Sequence, residues 1–384
     1  MLRMYGRQPL YAARVDVHGS GPGTANENLL IAAREALGLT QAQLATRLSQ
    51  LAGSGQPISQ GYVSRAEKGA LTVSGERLTL FAEALMCTPE LLASDAKLWS
   101  LGDGCLYHRN RVSTRASTLR QLHAQVNLVR LYLHRLTVAA GRPLPDFTWA
   151  PVVTGGIDSA VDAARAVRER CGIGDGPIRS VAEVAEQMGA LVVALPLGGR
   201  EVDATSLHPP GEPPLFIINS DVSADRQRFT LGHELGHVAC EAGFGSDPEK
   251  TAQEFSGELL APARQLYADL KAAEITPARL LQLKRKWLIS AAAVLYRAHD
   301  LAVIREAQYR RISAQISALG WRTSEPDPLP AEHPAVVQEL VQEAVNVTGS
   351  IEAAAAAAGT TITVIRALAG QAEAESGQGK ASDD

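Results

Sequence analysis

The segment Arg226-Gln-Arg-Phe-Thr-Leu-Gly-His-Glu-Leu-Gly-His237 constrains this chain more than any other. His233 and His237 stand four residues apart, so on a helix they share a face. There both imidazoles can reach one metal ion. Imidazole nitrogen suits zinc, which in catalytic sites keeps three protein ligands and one open position. Glu234, one step round the same helix, is placed to take a proton from water activated by the metal. The stretch must therefore be helical, must face a cavity, and needs a third ligand from elsewhere in the fold.

The next helix offers that ligand. Asp247-Pro248 opens a run in which Ala252, Phe255 and Leu259 form an apolar stripe at helical spacing. Glu249 falls in its first turn, after the Gly243–Ser246 loop has turned the chain back, and completes a His-His-Glu set. By spacing alone Glu254 and Glu258 compete for the same role. His208, Tyr267 and Arg228 are candidates for stabilising a tetrahedral oxyanion on chemistry type alone.

These two helices resemble the ImmA/IrrE zinc metallopeptidases. The resemblance rests on Arg-x-Arg-Phe-Thr-Leu-x-His-Glu-Leu-Gly-His and on Glu249-x-x-Ala252-x-x-Phe255-Ser256-x-Glu258-Leu259-Leu260-x-Pro262. The Gly176-Pro177-Ile178 turn and the apolar runs Leu191–Val193 and Leu215–Asn219 fit as well, so the match covers roughly 155–325. It implies zinc held by His233, His237 and Glu249, Glu234 as general base, and a small sheet beside the metal helix. It also implies a specific protein substrate, often a repressor. Gln253 and Ala261 stand where the family commonly has Asn and Met, and neither is a proposed ligand.

A second resemblance lies nearer the start. Thr40 and Ser59 are natural N-caps. Leu44, Ala45 and Leu48 face inward from one helix and Val63 and Ala66 from the next. The segment is similar to a Cro/cI-type (XRE) helix-turn-helix, whose second helix enters the major groove. That implies a DNA operator as partner. Gln60, Gly61, Tyr62, Ser64 and Arg65 would lie near DNA, with Ser59 opening their helix and Gln41 near a phosphate. Arg34 and Glu67 would form a structural ion pair. The turn from Ser49 to Pro57 is about eight residues longer than the usual tight one.

Charge is unevenly spread. The whole chain carries a formal net charge of -4, which gives no general reason to expect nucleic acid. Residues 24–95 hold five Lys/Arg against seven Asp/Glu, a net of −2, whereas 96–141 hold seven against one, a net of +6. The second segment could supply the phosphate contacts that the first lacks. Within it Leu119, Leu122, Val126, Val129, Leu133 and Leu136 repeat at steps of three and four, an a/d seam. Such a seam either pairs two chains in a homodimer or packs inside its own chain.

The expected fold class is α+β, mainly helical. An irregular tail (1–23) precedes a five-helix helix-turn-helix domain (24–95) and a basic helical connector (96–150). A small-sheet, zincin-like metallopeptidase domain (151–325) and a helical appendix with a disordered tail (326–384) follow. In the appendix, Ala355, Gly359 and Ile365 have helix-turn-helix spacing, which small-residue helix pairing explains equally well. No run of 18 apolar residues offers a membrane span. The first residues lack the apolar stretch of a signal peptide, so the expected place is the cytoplasm. Cys87, Cys105, Cys171 and Cys240 form no disulfide framework. Two function classes follow: a DNA-binding regulator fused to a zinc endopeptidase, or a regulator whose metal domain only senses or supports. A phage-derived lysogeny or toxin–antitoxin component is a third.

Overall fold

The computed structural model describes residues 23–53, 57–99, 106–110, 115–143, 157–197, 199, 201–240 and 247–371. The expected tails before residue 23 and after 371, the Gly243–Ser246 loop and Cys105 lie outside these residues.

The first five helices are α1 (Glu27–Ala36), α2 (Gln41–Leu51), α3 (Gln60–Glu67), α4 (Gly75–Ala84) and α5 (Pro89–Leu92). Their starts follow from local chemistry. Asn26 caps α1, and Thr40 and Gln43 form a reciprocal capping box on α2. Ser59 Oγ accepts from the Tyr62 amide to cap α3, and such caps are each worth about 1 kcal/mol. Leu44, Ala45, Leu48, Val63 and Ala66 are buried, the faces their spacing predicts.

Strand β1 (Leu106–Asn110) and helix α6 (Ala116–Ala140) come next, then α7 (Ala160–Arg170), α8 (Val181–Gln187) and the strands β2 (Leu191–Leu195), β3 (Val202–Leu207) and β4 (Leu215–Asn219). The four strands form one sheet in the order β1-β3-β4-β2. Strand β2 runs parallel to β4, with Val193 opposite Ile217, and the other pairs are antiparallel. Thus 96–141 is not wholly helical: β1 leaves it to extend the sheet, pairing Leu106 with Leu207. Its backbone finds ladder partners on β3 that helix periodicity in the flanking sequence does not reveal.

The metal-motif helix α9 (Ala224–Ala239) follows, then α10 (Pro248–Leu260), α11 (Ala263–Lys271), α12 (Pro277–Trp287), α13 (Ala291–Asp300) and α14 (Glu306–Ala318). Helices α15 (Val336–Thr348), α16 (Ile351–Ala358) and α17 (Ile362–Leu368) end the described chain. None of these helices is long and apolar enough to cross a membrane.

The sheet divides two cores. Alternate strand residues point to opposite faces. Val192, Ala204, Phe216 and Ile218 face a core with α7–α14. Leu191, Val193, Leu207 and Ile217 face the other, shared by the helix-turn-helix helices, α6 and α15–α17. The a/d seam of α6 is filled there. Leu122, Val126, Val129, Leu133 and Leu136 are buried, and α6 packs on α1, α15 and α16. The chain's own helices cover the stripe, which corrects the homodimer reading of it. The small residues of 350–368 act the same way: Ala354, Ala355 and Ala358 are buried against this core. The Gly359 carbonyl accepts the Thr88 amide at 3.0 Å, tying the last helices to the first domain.

Candidate functional site

Two helices carry the site. Helix α9 packs lengthwise on α10 because Gly232 and Gly236 leave room. A Cβ on Gly236 would lie 3.0 Å from the Ala252 backbone and the Phe255 ring, and one on Gly232 would lie 2.8 Å from Ser256 Oγ. This close approach sets Glu249, at the start of α10, opposite His233 and His237. The two rings meet edge to face at 4.7 Å. Their Nε2 atoms are 3.1 Å apart. Glu249 Oε2 lies 3.2 Å from His233 Nε2, and Glu249 Oε1 lies 3.3 Å from His237 Nε2.

These separations test the fit to a metal. Ligands at Zn–N and Zn–O distances of about 2.0–2.1 Å, set tetrahedrally, are about 3.3 Å apart. The three donors already stand at that spacing, so they could hold one ion. The histidines are buried, while the Glu249 side chain is 72% exposed, leaving one side of the triangle open. Burial pushes the His237 pKa down, against the pull of Glu249, and so favours the neutral imidazole that a metal needs.

Glu234 is buried on another side of α9, toward the sheet. The Ser206 hydroxyl on β3 donates to its Oε2 at 2.6 Å. Residue spacing gave no hint of Ser206, because its partner is 28 positions away. The two glycines carry a local sign, small residues four apart on the motif helix.

The competing acids have other partners. Glu258 binds Arg165 at 3.0 Å and accepts the Ala263 amide at 2.9 Å. Glu254 sits 3.7 Å from Lys250. Arg228 is no oxyanion group: it is 1% exposed and pairs with Glu332 at 2.5 Å. Its remaining donors go to the carbonyls of Ile178, Arg179 and Leu288. Tyr267 is an exposed residue of α11 with Lys271 over its ring.

Residues 185–299 match the family model of the IrrE N-terminal-like domain, Peptidase_M78, and residues 29–94 match that of a helix-turn-helix domain. The chain joins a helix-turn-helix domain to an IrrE-like peptidase domain. No curated protein matches it.

In the helix-turn-helix domain, Arg34 Nε meets Glu67 Oε1 at 2.6 Å. Gln41 donates to Glu67 at 2.8 Å, and Gln60 donates to Gln41 at 2.7 Å. This chain of bonds runs from the buried pair out to the start of α3. Ser59, Gln60, Gly61 and Arg65 are exposed, and Tyr62 and Ser64 are half-buried. The basic segment beside the domain is partly used up internally. Arg130 forms a bidentate pair with Glu212, both contacts at 2.6 Å, and Arg135 donates to the Ala357 carbonyl. The carboxylate of Glu212 thus already occupies Arg130, which corrects the expectation of a phosphate contact for that residue.

Proposed function

We propose that this chain is a zinc-dependent endopeptidase with its own DNA-reading domain, acting on a specific regulatory protein such as a repressor. The observation that carries this reading is the triangle of His233, His237 and Glu249 donors at tetrahedral spacing, with Glu234 beside it, inside a matched peptidase domain. Zinc bound there supplies Lewis-acid polarisation of a peptide carbonyl and acidifies water. Glu234 takes the proton from the attacking water and returns it to the leaving amine. Ser206 orients the Glu234 carboxylate for both transfers. The exposed side of the triangle, at Glu249, admits the polypeptide.

Through α3, the helix-turn-helix domain places Gln60, Gly61, Tyr62, Ser64 and Arg65 toward an operator, with Ser59 and Gln41 bracketing them. The network from Arg34 to Gln60 holds that surface in one arrangement before binding. A protein that reads an operator and cuts a repressor works in the cytoplasm.

Metal analysis paired with cleavage decides the matter. The purified chain should carry about one zinc and cleave a repressor encoded beside it, while Glu234→Gln keeps the zinc and loses cleavage. A zinc-loaded wild type that cuts no such repressor would favour the sensing reading.

A further inference from the structure

The stripe of α9 that carries the histidines continues toward the helix start. Thr230 lies three residues before His233 and Arg226 seven before it, both on the same face. On α10, Gln253 and Gly257 stand four and eight residues beyond Glu249, again on one face. Between these continuations, closed off by α13, lies a cavity of about 560 Å³, within the range of ligand sites. The cavity thus lies further along the same two helix faces that carry His233, His237 and Glu249.

The lining is acidic. Five carboxylates (Glu201, Asp203, Asp225, Glu254 and Asp300) face two cations, Arg226 and Arg297. Both cations are already matched. Arg226 pairs with Asp203, and Arg297 pairs with Asp300 at 2.7 Å and with buried Glu258 at 3.4 Å. Among the described residues no cation lies at ion-pair distance from Glu201 or Asp225. The walls between the charges are apolar: Phe229, Leu260, Ile289 and Ala293 line them. Tyr296 adds an aromatic ring that is 43% exposed. In addition, Thr230 Oγ1 is fully buried in the lining and has no hydrogen-bond partner among the described residues, although buried hydroxyls are normally paired.

Resting on the peptidase reading, we propose that this cavity receives a lysine or arginine side chain of the polypeptide held at the metal centre. A long methylene stem covers the apolar wall while its charged end reaches the carboxylates. The Tyr296 ring attracts the same cation through its face. Thr230 supplies a hydrogen bond to the incoming chain beside His233. An acidic side chain is excluded by the unmatched carboxylates.

Binding tests this without cleavage. The probe is a fluorescein-labelled heptapeptide of alanines with arginine at its centre, added to the zinc-loaded full chain carrying Glu234→Gln. Anisotropy should show it binding about tenfold or more tighter than the same peptide with norleucine, as a charge-assisted hydrogen bond implies. The glutamate peptide should bind weakest. The preference should shrink as salt rises and vanish in Glu201→Gln/Asp225→Asn. Equal binding of arginine and norleucine peptides, absence of binding by all three, or a preference that survives the double substitution would each overturn the proposal. These outcomes are independent of repressor cleavage, so the cavity and the peptidase reading fail separately. Both substituted groups lie at the surface of the cavity, and the peptide series alone tests the wild-type lining.

Discussion

Replacing Glu332 with alanine should cost the peptidase domain a large part of its stability, although Glu332 lies beyond residue 325, where the sequence places the domain's end. Its carboxylate meets Arg228 at 2.5 Å, and the two side chains are 0% and 1% exposed. Glu332 also accepts from Ser180 Oγ at 2.8 Å and from the Ala182 amide at 2.9 Å. Burial pushes the Arg228 pKa down and Glu332 opposes that, so removing the carboxylate strands a buried cation. Breaking one partner of such a pair costs about 3–5 kcal/mol, a substantial share of a typical 5–15 kcal/mol. Arg228→Met/Glu332→Leu should recover only part of this. The carbonyls of Ile178, Arg179 and Leu288 lose the donors that Arg228 gives them, at about 1 kcal/mol each. Urea unfolding of the zinc-loaded full chain, followed by circular dichroism, compares wild type with both variants. A cost for Glu332→Ala below about 1 kcal/mol, far under the buried-pair range, would refute the argument.

Further outcomes follow from the same geometry. Gly236→Ala should gain about 1 kcal/mol of helix propensity but lose about 1–3 kcal/mol to overpacking against the Ala252 backbone, a net loss read by thermal melting together with weaker zinc retention. Ser206→Ala should keep zinc and lower kcat, with KM little changed, because only the orientation of Glu234 is lost. If Arg65 reads a base, Arg65→Ala should weaken operator binding by about 1–3 kcal/mol in a gel-shift titration; unchanged binding removes Arg65 from the reading surface. Burial raises the Cys87 pKa to about 11. The thiolate is the disfavoured form, so at pH 8 only about a thousandth of it is ionised. Alkylation of the native chain should then spare Cys87 until the pH approaches that value.

Much of the site could be read locally. Residues four apart on one helix must share a face, so His233 and His237 were fixed by their spacing. Spacing on the second helix left Glu249, Glu254 and Glu258 open, and the family resemblance singled out Glu249. What local pattern could not supply was the partner across the fold. Ser206 and Glu332 carry no periodic mark, and their roles exist only after the sheet and α8 have been placed. The strands show the same limit. Leu191–Val193 and Leu215–Ile218 are apolar without alternation, the mark of strands buried on both faces. Nothing in those runs says that one face meets the metal helices and the other meets α6 and the last three helices. For that reason a connector and an appendix were expected where the structure has the second core. The α6 seam was legible as a stripe, but a stripe does not name what covers it.

The covering of that stripe sets an order of events during synthesis. Helix α6 is complete at Ala140, but α15, which lies against it, begins at Val336. At about 5–20 residues per second, the roughly two hundred residues between them take about 10–40 s to make. Throughout that interval Val126, Val129, Leu133 and Leu136 await their final cover. The module that meets DNA is begun first and braced last. A ribosome-bound chain thus carries an apolar stripe at helical spacing, the kind of surface that general chaperones hold.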